Sequence, residues 1–344
     1  MADAARDPKV RTAVASATVA AGGAVAMGKL VRDRFVERSE SRRRRSYRLQ
    51  PDEPAVEGVR RIARGQIDLA VEQLESADGG ELDEAIHESR KAFKRVRALV
   101  RLARDGLGDE TYRRENTTLR DAGRALSSIR DARVMIDTLE DLTTRYGNEI
   151  PDGGFGGLHV ALRAEAGAAR EQLENDADAV QDVLGTLRAA RARVESWPLP
   201  DSKDLRFLAP GFERIYRRGR RAQRAAADEA STEAMHELRK RAKDLWHAGQ
   251  VLRPASPKTM KKLARRAHNL ADMTGEDHDL AVLLDRARER PHALQPGELE
   301  LLDALVARRR AALQQDALTL ARRLYGRKPR KLARRIATAT LSGG

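Results

Sequence analysis

The chain has 344 residues, too many for one small domain and enough for a large core or two packed halves. Lys and Arg number 66 against 52 Asp and Glu, a net charge of +14 with histidine neutral, and such a surplus gathers anionic partners: nucleic acid, acidic membrane or inorganic phosphate chains. The absence of cysteine excludes disulfides, thiolate metal sites and cysteine nucleophiles, and is compatible with a reducing cytoplasm. Five Tyr, five Phe and two Trp are too few for a base-stacking platform, so a ligand with charge but no bases fits the composition better.

Residues 1–54 read as a basic, Ala/Gly-rich arm. Within it, Thr12 to Val31 has no acid and only Lys29 as a base, yet is built from Ala, Gly, Thr and Val rather than the strongly apolar residues of a spanning helix. A poorly ordered or weakly helical arm is the reading, a membrane-associated helix the lesser one. Asp3 and Asp7 before it, and the lack of a leucine-rich core, argue against a signal peptide. Arg42 to Arg45 form a solvated tether that binds anions loosely, closed by Pro51 and Pro54.

Residues 55–344 read as one all-α domain, with halves of about 55–200 and 203–340. Stretches rich in Ala, Leu, Arg and Glu repeat with the helical period. Breakers fall at Asp78-Gly79-Gly80, Gly106 to Gly108, Pro151 to Gly157, Pro198 to Pro200, Pro210-Gly211, Pro254 to Pro257 and Pro291 to Pro296, which predicts roughly ten helices.

Three blocks return in the same order at an offset of about 150 residues. Arg61-Ile62-Ala63-Arg64 returns as Arg214-Ile215-Tyr216-Arg217. His87-Glu88-Ser89-Arg90-Lys91-Ala92-Phe93-Lys94 returns as His236-Glu237-Leu238-Arg239-Lys240-Arg241-Ala242-Lys243. Arg130-Asp131-Ala132-Arg133-Val134 returns more faintly as His278-Asp279-Leu280-Ala281-Val282. The expectation is two pseudo-symmetric antiparallel helical bundles from an internal duplication, joined near Trp197 to Ser202.

At 100° per residue, Arg90, Lys91, Lys94 and Arg101 fall within about 60° of His87, with Arg95 and Arg97 on the flanks. Val96, Phe93, Leu99, Val100 and Ala92 take the opposite side, and Glu88 lies off the stripe. The second copy presents His236, Arg239, Lys240 and Lys243, with His247 next on the same face, and a further stripe holds Arg214, Arg217, Arg218 and Arg221. Solubility alone explains most basic helix faces. Ordinary surfaces, however, interleave acids with bases, because like charges three and four residues apart destabilise a helix. Repeating that local cost points to a multivalent anion as compensation. Arg offers forked donors to phosphate oxygens, Lys a mobile charge, and His a donor whose charge depends on pH.

With these residues the sequence resembles the CHAD family, the conserved histidine α-helical domain. The resemblance rests on Ile86-His87-x-x-Arg90-Lys91-x-x-Lys94-Arg95-x-Arg97 and on Met235-His236-x-x-Arg239-Lys240-x-x-Lys243. It is supported by Arg61 and Arg64, by the block Arg214 to Arg221, and by Tyr325-Gly326-x-Lys328-Pro329-x-Lys331, and it covers roughly Glu57 to Thr340. It implies two pseudo-symmetric bundles with a basic groove or pore between them, inorganic polyphosphate as ligand and, for some relatives, residence on polyphosphate granules. The Glu-x-Glu-x-Lys signature of the triphosphate tunnel domain that many relatives carry is absent, so no catalytic function carries over. The second stripe departs from the first: Asp244, Trp246 and Gln250 stand where the first copy has Arg95, Arg97 and Arg101.

The binding expectation therefore covers Arg61, Arg64, His87, Arg90, Lys91, Lys94, Arg97, Arg101, Arg214, Arg217, Arg218, Arg221, His236, Arg239, Lys240 and Lys243, with no enzyme activity, metal or cofactor. Glu84-x-x-His87 and Glu233-x-x-His236 match the spacing of di-iron bundles, but their neighbours are cations that repel a divalent ion. A phosphotransfer histidine would need one exposed copy and a partner kinase, and no phosphate loop or nucleophile elbow is present. Non-specific nucleic-acid binding through counterion release is the runner-up.

Overall fold

The computed structural model describes residues 47–339 and 341, apart from 52, 78–81, 127, 176 and 203, and leaves aside the side chains of 128–131, 173–175 and 177. The arm with Arg42 to Arg45, the Asp78-Gly79-Gly80 break and the side chains of Arg130 and Asp131 lie outside the described residues. Among the described residues there are eleven α-helices and no strand. They are α1 (Ala55–Glu75), α2 (Leu82–Leu102), α3 (Arg104–Ala125), α4 (Ser128–Tyr146), α5 (Gly156–Asn175), α6 (Ala177–Arg193), α7 (Ala209–Asp228), α8 (Thr232–Val251), α9 (Pro257–Arg288), α10 (Glu298–Leu324) and α11 (Pro329–Ala337). The fold is all-α, and no described helix is long and apolar enough to cross a membrane.

Local chemistry sets most boundaries. Proline opens α7, α9 and α11 from their first turns, where its missing N–H costs nothing. Ser231 caps α8 by accepting the Ala234 N–H at 3.2 Å. Gly106 to Gly108 breaks the helix as expected: Gly108, with φ 73° and ψ 160°, is non-helical and separates a short first turn, beginning at Arg104, from the rest of α3. Two further breaks bring the helices to eleven: one between α3 and α4, and one between α10 and α11 at Gly326 and Pro329.

The apolar face of α2 is buried as its period requires: Ile86, Ala92, Phe93, Val96, Leu99 and Val100 are at most 2% exposed. α1 packs on α2 and α6 and α2 on α3, while α7 packs on α8 and α11 and α8 on α9. One apolar cluster draws on both halves, with Met135, Ile136, Leu139 and Leu142 of α4, Leu158 and Leu162 of α5, Leu280, Leu283 and Leu284 of α9, and Leu302, Leu305 and Val306 of α10.

Two close approaches fix the rest. A Cβ on Gly211 would lie 1.9 Å from the Leu102 carbonyl oxygen, so only glycine lets the start of α7 abut the end of α2. A Cβ on Gly219 would lie 2.2 Å from the Tyr325 ring. Tyr325 packs edge-on to Tyr216, with ring centroids 5.4 Å apart, and the Tyr216 hydroxyl donates to Leu324 O at 2.8 Å while accepting the Arg327 N–H at 3.1 Å. Residues 48–344 cluster as one compact unit. Leu49 belongs to it, 1% exposed, its N–H donating to Val251 O at 3.2 Å.

Candidate functional site

The cationic face of α2 opens onto two adjoining clefts. Arg90, Lys94 and Arg97 line the first together with Arg120 and Arg124 of α3. Arg101 lines the second with Arg104 and Tyr112 of α3, Arg214 and Arg218 of α7, and Arg241 and Asp244 of α8. The second cleft lies between the two halves of the domain. Asn116 links the clefts, its Oδ1 accepting from Arg97 Nε and from Arg101 Nη2, each at 3.3 Å.

Asp244 is the acid that lines the second cleft. It is 7% exposed and holds Arg101 at 3.0 Å and Arg241 at 2.9 Å. The substitution that weakens the second stripe in sequence thus receives an arginine of the first. Cations still crowd around it. Burial and then the charge of Arg101 pull Arg97 down to about 10. Burial and then Arg241 lower Arg218.

The second stripe is more enclosed. The rings of His236 and His278 stand 4.4 Å apart. Burial, then His278, then Lys240 and Arg239 pull His236 down to about 4. Burial, then Arg239, pull Lys243 down to about 8, with Asp279 and Asp272 opposing. Arg239 lies 3.5 Å from Asp279. His247 does not continue the exposed face: it is 8% exposed and stacked on Trp246. Its pKa is held well below the usual histidine value, first by burial and then by Arg95, Lys243, Arg101 and Lys94, so cations of both stripes converge on it.

The remaining sequence candidates line neither cleft. Arg61 pairs with Glu53 at 2.7 Å and Arg64 with Glu195 at 2.5 Å. Lys91 pairs with Glu88 at 2.6 Å, Arg217 with Glu213 at 3.4 Å and Lys240 with Glu237 at 3.8 Å. Arg221 is exposed on α7, and His87 is half-buried on α2. Arg214, though in the second cleft, also meets Asp105 at 2.5 Å. Sequence reasoning missed Arg104, Arg120, Arg124, Arg241, Tyr112 and Asn116. Arg120 and Arg124 were visible as a four-residue pair; the others enter only because α3 and α8 pack beside α2 and α7. No group of three His, Asp or Glu among the described residues is arranged to hold a metal ion.

Fold and charge define an all-helical protein with two arginine-lined clefts, one between α2 and α3 and one between the two halves. The CHAD domain family matches residues 61–288, and the chain belongs to that family. No curated protein matches the chain.

Proposed function

We propose that this chain binds inorganic polyphosphate through the two clefts, with the two halves of the domain derived from one duplicated unit and sharing the ligand. The observation that carries this reading is the crowding of Arg97, Arg101, Arg218 and Arg241 around Asp244, the acid that lines the second cleft. Burial lowers Arg97 and Arg218, and the neighbouring Arg101 and Arg241 lower them further, a crowding that a bound anion would relieve. A flexible chain with a charge on every phosphate compensates several such groups in sequence, and forked guanidinium donors suit its oxygens. His87, Arg90, Lys91 and Lys94 extend the path along α2, and the second stripe with His236, Arg239, Lys240 and Lys243 contributes less, because its cations are paired or enclosed. The role is binding rather than catalysis: phosphoryl transfer needs charge stabilisation beside a metal or a positioned nucleophile. Residence on cytoplasmic polyphosphate granules follows from the same affinity.

The test is titration with long-chain polyphosphate at several salt concentrations, with duplex DNA as competitor. Affinity should fall with salt, as counterion release requires, and DNA should compete only weakly. Displacement of polyphosphate by equal phosphate concentrations of DNA would favour the nucleic-acid reading. Release of phosphate with Mg²⁺, lost on changing His87 or His236, would overturn the non-catalytic one.

A further inference from the structure

A third basic cavity, of about 220 Å³, shares no lining residue with either cleft. Its wall is the first turns of α9, where Lys258, Lys262 and Arg266 recur every four residues and so share a face. Arg323 at the end of α10 and Arg327 in the turn beyond it complete a ring of five cations, and no acid lines the cavity. The floor is rigid: Leu263 and Leu324 are at most 7% exposed, and the Tyr216 hydroxyl holds the backbone on both sides through Leu324 O and the Arg327 N–H. Unlike Arg101, Arg214 or Arg239, none of these five cations forms an ion pair or a side-chain hydrogen bond among the described residues.

From this cavity we infer a second anion site, selective for a compact condensed phosphate group of two or three phosphates. The argument is charge density. A nucleic-acid backbone would place one charge in a space that five cations surround. At about 220 Å³ the space takes a short group whole, with cations facing it from two helices and the turn beyond them. A diphosphate or triphosphate group fills it and meets several cations at once. Such a group is supplied either by the end of an inorganic phosphate chain or by a nucleoside triphosphate. The site stands apart from the cleft reading, since the two share no residue.

The experiment is calorimetric titration of the full chain with inorganic tripolyphosphate, then with metal-free ATP. The variants are Lys262→Ala with Arg327→Ala in the cavity and, separately, Arg90→Ala with Lys94→Ala in the cleft. Both cavity positions are exposed, so circular dichroism should be unchanged. Tripolyphosphate affinity should drop by about tenfold or more in the cavity variant and stay constant in the cleft variant. Long-chain polyphosphate should show the reverse ranking. Binding of tripolyphosphate but not ATP assigns the chain end as source; equal binding assigns the phosphate group whatever carries it. Failure of tripolyphosphate to bind the wild-type chain, or equal binding by the cavity variant, overturns the second site and leaves the cleft reading standing.

Discussion

Asp244 and Lys243 are neighbours with opposite consequences. Asp244 holds two enclosed arginines, and Arg241 also meets Glu237 at 3.0 Å, so Asp244→Ala leaves Arg101 without its carboxylate partner. Breaking a buried pair by removing one partner costs about 3–5 kcal/mol, and a clear fall in melting temperature is expected. Added polyphosphate should restore much of it, because a bound anion replaces the lost carboxylate; a variant that melts low and gains no more than wild type would place the ligand elsewhere. Lys243 titrates near 8 in the folded chain against 10.5 unperturbed. Only its charged form attracts an anion, so polyphosphate affinity should weaken as pH rises through about 8, and Lys243→Met should flatten that limb. Stability runs the other way. His236 binds its proton near 4 when folded and near 6.5 otherwise, so the unfolded chain holds more protons between those values. Stability should therefore rise with pH from about 4 to 6.5, and His236→Asn should reduce the slope in a melting series. An unchanged slope would mean that His236 is not neutral in the fold.

The basic stripe of α2 was legible because a single helix encodes it: period, face and charge all lie within Ile86 to Arg101. Its partners were not, because Asn116, Arg104 and Arg241 reach the stripe only through packing between helices far apart in sequence. The same applies to acids such as Glu53 and Glu195, which pair with Arg61 and Arg64 and draw them away from the expected surface. The fold class, most helix boundaries and the apolar faces followed from periodicity and proline placement; the break between α3 and α4, where no glycine or proline stands, did not. At this scale Arg90→Ala with Lys94→Ala should weaken polyphosphate binding more than Arg239→Ala with Lys243→Ala, and both should lower the salt slope of affinity. Arg90 also donates to Leu126 O at 3.0 Å at the end of α3, so the first pair should lose slight stability as well. Equal affinity and slope in both pairs, with helicity intact, would remove the stripes from the site.

The closing turn of the molecule depends on Gly219. Gly219→Val sets a branched side chain against the Tyr325 ring and should unseat the 324–328 turn, read as a lower melting temperature and earlier proteolysis near Gly326. Tyr325→Ala would relieve the clash but forfeit the contact, so the double variant should be no worse than Tyr325→Ala alone; a further loss in the double variant would show that Gly219 acts through some other neighbour. The apolar cluster that joins α4 and α5 to α9 and α10 bears on how the chain emerges during synthesis. Leu158 and Leu305 share this cluster, and about 150 residues must be added after the first before the second emerges, an interval of roughly 7–30 s at ordinary translation speed. Through that interval the nascent first half carries an uncovered apolar surface that its own residues cannot close. A fragment ending near Pro200 should therefore bind chaperones and aggregate rather than fold.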